Sequence, residues 1–198
     1  LSAGDLAYTA HLTGSEVDVQ QAAAYVPQLA DVQGRVSFDI GATGQGTDSS
    51  ALQVYGSASL QAGSYKALPI ESLNASFYAQ GQDLTIDYAS LNLPNHTTLG
   101  IEGSVMGGNR LDLAFYGGHV DLSLISRLEP QIDLSGLGDF KGTIHGDMQD
   151  PQVDLKFTAT RGMLFKQPYD DLRFEAEGSL DGVAIKDFSL VKDGRQTW

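Results

Sequence analysis

Cysteine is absent from the 198 residues, so neither a disulfide nor a thiolate metal site can form. Positive charge is scarce. Twelve Lys and Arg stand against 25 Asp and Glu, for a net charge of −13. With no basic stripe to neutralise phosphates, the balance argues against nucleic acid. It argues equally against docking on an anionic membrane surface. No run approaches the ~18 apolar residues that read as a membrane-spanning helix. The sequence opens without an initiator Met or a signal peptide, and both ends cut into patterned sequence. The chain therefore reads as a piece of a longer one.

Signatures of chemistry are also missing. His11, His96, His119 and His145 stand alone, without the converging ligands a metal requires. Asp170 and Asp171 are adjacent, so in a strand they point to opposite faces, and they read as a turn and a solvated edge. Asp147, Asp150 and Asp154 lack the spacing of a calcium loop. No Ser occupies a Gly-x-Ser-x-Gly elbow, and Gly44-Gln45-Gly46 precedes no helical pattern. Asn74-Ala75-Ser76 and Asn95-His96-Thr97 are formal glycosylation acceptors, with meaning only in a secreted eukaryotic chain. We expect no catalytic, cofactor-binding or metal-binding residue, and a protein that is not an enzyme.

What the chain does contain is a repeat. Residues 54–91 match residues 153–190 without a gap. Gly63 answers Gly162, Pro69 answers Pro168 and Leu91 answers Leu190, each 99 positions on. Residues 17–28 match 120–131 at a displacement of 103. The expected organisation is two modules of roughly 100 residues, 1–98 and 99–198, forming one continuous sheet rather than two independent domains. Each module has a short helix, near 17–26 and near 120–129, each stopped by a proline, Pro27 or Pro130. Gly41–Ser50, rich in Gly, Thr, Ser and Asp, reads as a turn or loop. Met106-Gly107-Gly108-Asn109 reads as a hairpin turn.

The remainder alternates apolar with polar residues at the period of a strand, as in Val54, Gly56, Ala58 and Leu60, or Leu155, Phe157 and Ala159. One face of nearly every strand is therefore apolar and the other wet, and the apolar face must be covered by something. Two short helices cover little of about ten strands. Either halves of the sheet face each other, or part of the face is left for a ligand. Small residues in the inward rows suit an interior that is curved or incompletely filled, although an ordinary core gives the same alternation.

The block Gly142–Gln196 carries a resemblance. Its Gly146, Asp150-Pro151, Gly162, Tyr169 with Leu172, and Phe188–Val191 are similar to the repeating unit of AsmA-like proteins, and among these the TamB-like ones. In the first module Ser50-Ala51 stands near the place of Asp-Pro. The resemblance implies a periplasmic segment of a protein anchored in the inner membrane. It implies an elongated, curled, taco-like β-sheet with an apolar interior groove that conducts phospholipid between the inner and outer membranes. The implied partners are phospholipid and an Omp85-class barrel, TamA-like or BamA-like, engaged through the whole protein. The residues expected to line the groove are Val36, Phe38, Leu60, Phe77, Ile86, Ile101, Leu113, Phe157, Phe174 and Ile185. Two other readings stay open at this point: a scaffold for outer-membrane protein assembly through strand pairing, and a structural β-solenoid stalk.

Overall fold

The computed structural model describes residues 6–23, 27–46, 49–66, 68–128 and 131–196. The strands are β1 Ala7–Asp18, β2 Val32–Gln45, β3 Gln53–Tyr65, β4 Leu68–Gln80, β5 Asp83–Leu93, β6 Thr97–Met106, β7 Arg110–Asp121, β8 Leu134–Asp147, β9 Asp150–Leu164, β10 Gln167–Ser179, β11 Gly182–Lys192 and β12 Arg195–Gln196. Two short α-helices interrupt them, α1 Val19–Ala23 and α2 Ser123–Leu128, with 3-10 turns at Pro27–Leu29 and Ser49–Ala51. The protein is mostly β. Its strands hydrogen-bond in chain order from β1 to β12 as one sheet, with β1 and β12 at the ends of the order. Pairing is antiparallel from β1 to β5 and from β8 to β12.

Contacts divide the chain into two compact units, Leu1–Pro94 with Gly100–Arg110 and Asn95–Leu99 with Leu111–Trp198. In the first, Asp18 starts α1: its carboxylate accepts a hydrogen bond from the Gln20 amide at 2.9 Å. Val19 is buried at the head of the helix, over β-strand residues that include Leu60 and Ile70. In the second unit, the Asp121 carboxylate takes the Ser123 amide at 3.0 Å. Leu122 is fully buried, and Ile125 packs against the core cluster that holds Leu122, Tyr169, Leu172 and Leu190. The Ser126 hydroxyl then ties α2 to β8, accepting from the Leu134 amide at 3.0 Å and donating to the Leu134 carbonyl at 2.8 Å.

The helices are shorter than the sequence period suggests. Val17 and Asp18 belong to β1, where they pair with Val36 and Arg35, and Val120 belongs to β7. So short a helix buries little apolar surface, whereas the sheet satisfies these amides directly. Tyr25, expected in the first helix, lies outside the described residues. Gly41–Gln45 also differ from expectation: they continue β2 and do not form a loop. The Tyr55 ring occupies the space where a side chain on Gly41 would stand, and the Tyr8 ring does the same over Gly44. The glycines here seat cross-strand aromatics instead of making a turn. Asp170 and Asp171 sit within β10 rather than at a turn, and the Asp170 carboxylate accepts from the Asp193 amide at 2.6 Å.

Bulges keep the apolar residues on one face. In β9, Phe157 and Ala159 share a face with Gly162 and Leu164 although the numbering changes parity. The extra residue is Arg161, at φ 47°. In β3 the same break falls at Ala62, at φ 51°. In β5, Asp87 is passed over between Tyr88 opposite Ser76 and Ile86 opposite Phe77.

Candidate functional site

Cross-strand partners in an antiparallel pair point to the same side, so the register defines the faces. In the second unit Gly142, Leu155, Ala176 and Ile185 form one row across β8, β9, β10 and β11. Phe140, Phe157 and Phe174 form the next, and Gly138, Ala159, Leu172 and Leu190 the one after. The last of these rows is closed by Leu122 and the α2 side. In the middle row Phe157 and Phe174 stack at 4.9 Å between ring centroids, and the Phe140 ring lies on Gly117. In the first row Ala176 is buried, Leu155 is half-buried and Ile185 is exposed.

A cavity of about 620 Å³ opens on that first row, with Phe115, Gly142, Leu155 and Ala176 among its lining residues. The Phe115 ring occupies the space a side chain on Gly142 would need, 2.5 Å from the ideal Cβ position. Glycine there lets the phenyl ring form part of the wall. Beyond Ala176 the row ends at Ile185, which is 61% exposed, and Val183 on the same strand is 72% exposed.

In the first unit the matching face carries the rows Ile40–Gly56–Phe77–Ile86, Phe38–Ala58–Ala75–Ala89 and Val36–Leu60–Leu73–Leu91. A cavity of about 360 Å³ lies between Val19 and Leu29 on one side and Val36, Leu60, Leu73 and Leu91 on the other. Its surroundings are aliphatic apart from Tyr65.

The ten residues expected to line a groove divide between the units. Val36, Phe38, Leu60, Phe77, Ile86 and Ile101 fall in the first, and Leu113, Phe157, Phe174 and Ile185 in the second. Val36 faces Leu60 across strands, Phe77 faces Ile86, and Phe157 faces Phe174. Phe38 rests on Gly14. Leu60 and Phe157 are buried, Ile185 is exposed, and the others are half-buried. Phe115, Gly142, Leu155 and Ala176, which form the floor of the larger cavity, were not among the ten. Leu155 and Phe115 share the alternation of Phe157 and Leu113. Which row stays open depends on where α2 closes, and the alternation does not contain that.

The opposite face of the second unit is charged. Lys141, Lys156, Glu175 and Lys186 align across β8 to β11. Lys156 pairs with Glu175 at 2.7 Å, and Lys186 pairs with Glu177. Both lysines have raised pKa values, in each case chiefly through the hydrogen bond to the glutamate. These pairs are solvent-exposed, so they add wettability more than stability. Among the described residues no three His, Asp or Glu side chains converge on a common point, and no helix is long and apolar enough to cross a membrane. No family model, curated protein or solved structure matches the chain.

Proposed function

We propose that this chain is a non-enzymatic lipid-binding segment, whose apolar sheet face shields the acyl chains of phospholipid on their way between two membranes. The observation that carries the reading is a cavity of about 620 Å³ in the second unit, with Phe115, Gly142, Leu155 and Ala176 among its lining residues and Ile185 exposed at the end of the same cross-strand row. The volume is within the roughly 300–1,000 Å³ of small-ligand sites. Each methylene removed from water contributes about 0.8 kcal/mol, so a sixteen-carbon chain gains on the order of 12 kcal/mol from full cover. Phe115, Leu155 and Ala176 supply such cover, and the cavity is bordered as well by Lys141, Asp154, Lys156, Glu175 and Glu177.

In this proposal the sheet is curled, with the apolar rows inside an elongated groove, and the module repeats along the groove. Two backbone features support a repeated module. Left-handed residues fall at Glu16 and His119, at Ala62 and Arg161, and at Lys66 and Phe165. An aromatic ring lies on a facing glycine as Phe38 on Gly14 and again as Phe140 on Gly117. The proposed setting is the periplasm, within a longer protein held in the inner membrane and engaging an Omp85-class barrel at the outer membrane.

A fluorescent fatty acid whose emission rises in apolar surroundings tests the reading. Titration into the chain is expected to saturate, and unlabelled phospholipid is expected to displace the probe. Ile185→Asp is expected to weaken binding at least tenfold, from lost apolar contact and a carboxylate set against hydrocarbon, in the range of about 1.5–3 kcal/mol. Unchanged binding in that variant, or no saturable binding in the parent, contradicts it.

A further inference from the structure

Positions related by the sequence repeat are packed differently in the two units. In the second, Leu172 and Leu190 face each other across strands and are buried in one cluster with Leu122, against which Ile125 packs. Their counterparts 99 positions upstream, Leu73 and Leu91, also face each other but are only half-buried. The residues 103 positions before Leu122 and Ile125 are Val19 and Ala22, both smaller. Here lies the cavity of about 360 Å³, with Val19 and Leu29 on one side and Leu73 and Leu91 on the other. Among the described residues Tyr65 is its one lining side chain with a polar atom, and Tyr65 is 40% exposed, so it stands at the mouth. The Lys66 ammonium lies over that ring, 5.4 Å from its centroid. Residues 1–98 hold two cations, Arg35 and Lys66. Arg35 faces Glu16 at 3.9 Å, whereas Lys66 makes no ion pair among the described residues.

We propose that this cavity binds a single-chain anionic amphiphile, with the hydrocarbon tail inside and a carboxylate or phosphate head at Lys66. A cavity walled by aliphatic side chains stays dry and accepts apolar guests. At roughly 30 Å³ for each water-sized group, it holds about twelve methylenes, enough for one chain and not for the two of a phospholipid. Its depth offers no hydrogen-bond partner, so a polar head stays at the mouth. There the Lys66 ammonium can donate a charge-assisted hydrogen bond to it. A chain of net charge −13 otherwise repels anions, which makes this cation selective for where the head settles. The two features are lost together 99 positions on. Leu164 and Phe165 stand in the places of Tyr65 and Lys66, and the leucines that line the cavity in the first unit are buried there. The site lies in the first unit and shares no residue with the row on which the lipid reading rests, so either can fail alone.

Isothermal titration calorimetry with straight-chain fatty acids of about six to sixteen carbons, each below its micelle concentration, tests it. Kd is expected to fall about fourfold per added methylene up to about twelve carbons and then to level. The matching alcohols are expected to bind about fivefold more weakly, for want of the charged head. Lys66→Asn is expected to remove that difference between acid and alcohol, and asparagine accepts the φ of 53° at this exposed position. Leu91→Trp narrows the cavity and is expected to move the levelling to shorter chains, with the circular dichroism unchanged. Ile185→Asp is expected to leave every one of these values as in the parent. No binding, an affinity that climbs along the whole series without levelling, or an acid preference that persists in Lys66→Asn overturns the proposal. So does a loss of binding in Ile185→Asp, which places the fatty acid on the other row.

Discussion

At Gly162 a single hydrogen atom decides local packing. A Cβ there would meet the Ser135 carbonyl oxygen at 1.9 Å and the Tyr169 hydroxyl at 2.5 Å. Gly162→Ala is expected to cost about 1–3 kcal/mol through overpacking, read as a lower urea midpoint at constant slope. Tyr169 is buried beside it and donates to the Ser135 carbonyl at 2.7 Å, and burial raises its pKa. Tyr169→Phe is expected to cost about 1 kcal/mol, since it leaves that carbonyl without the hydroxyl. Asp121 adds a pH dependence. Its carboxyl is held below the usual range, first by the hydrogen bond from the Ser123 side chain. A depressed carboxylate contributes stability above its unfolded pKa of about 3.9, and that contribution is lost as the pH falls through the folded value. Urea midpoints of the parent are therefore expected to drop more steeply below about pH 4 than those of Asp121→Asn. Parallel acid limbs contradict this role.

The α2 helix divides the apolar face of its unit into a closed part and an open part. It is fastened through Ser126, whose hydroxyl both donates to and accepts from Leu134. Ser126→Ala is expected to cost about 1 kcal/mol and to speed amide exchange at Leu122 and Ile125 ahead of the β9 and β10 amides. Exchange that rises equally in all of them contradicts a separate fastening. At this scale the sequence was most legible in the strands. Leu155, Phe157 and Ala159 announced β9 by alternation alone. The phase change after Ala159 was not legible, because a bulge such as that at Arg161 inserts one residue with no mark in composition. Gly41 and Gly44 misled for a related reason. Glycine signals a turn when the chain must bend, but here it seats the rings of Tyr55 and Tyr8 inside a continuous strand. Val17 and Val120 fit a helical spacing and a strand equally well, and sheet pairing decided between them.

For the whole molecule, the sequence supplied an apolar face and a wet one, with a repeat at displacements of 99 and 103 positions. It supplied candidate residues without ranking them by openness. Leu60 and Phe157 are buried, while the row ending in Ile185 passes from buried Ala176 and half-buried Leu155 to an exposed end. Openness follows from which side chains α2 covers and from the ring of Phe115 seated on Gly142, both of them tertiary facts. The central claim is that this open row carries hydrocarbon. Native mass spectrometry of the chain purified without detergent, then offered phospholipid vesicles, tests it most directly. The account predicts a population with added phospholipid mass in the parent and its loss in Ile185→Asp with Val183→Asp, both proteins giving the same β-rich circular dichroism. A parent that stays folded and takes up no phospholipid, or a double variant that carries as much as the parent, contradicts it.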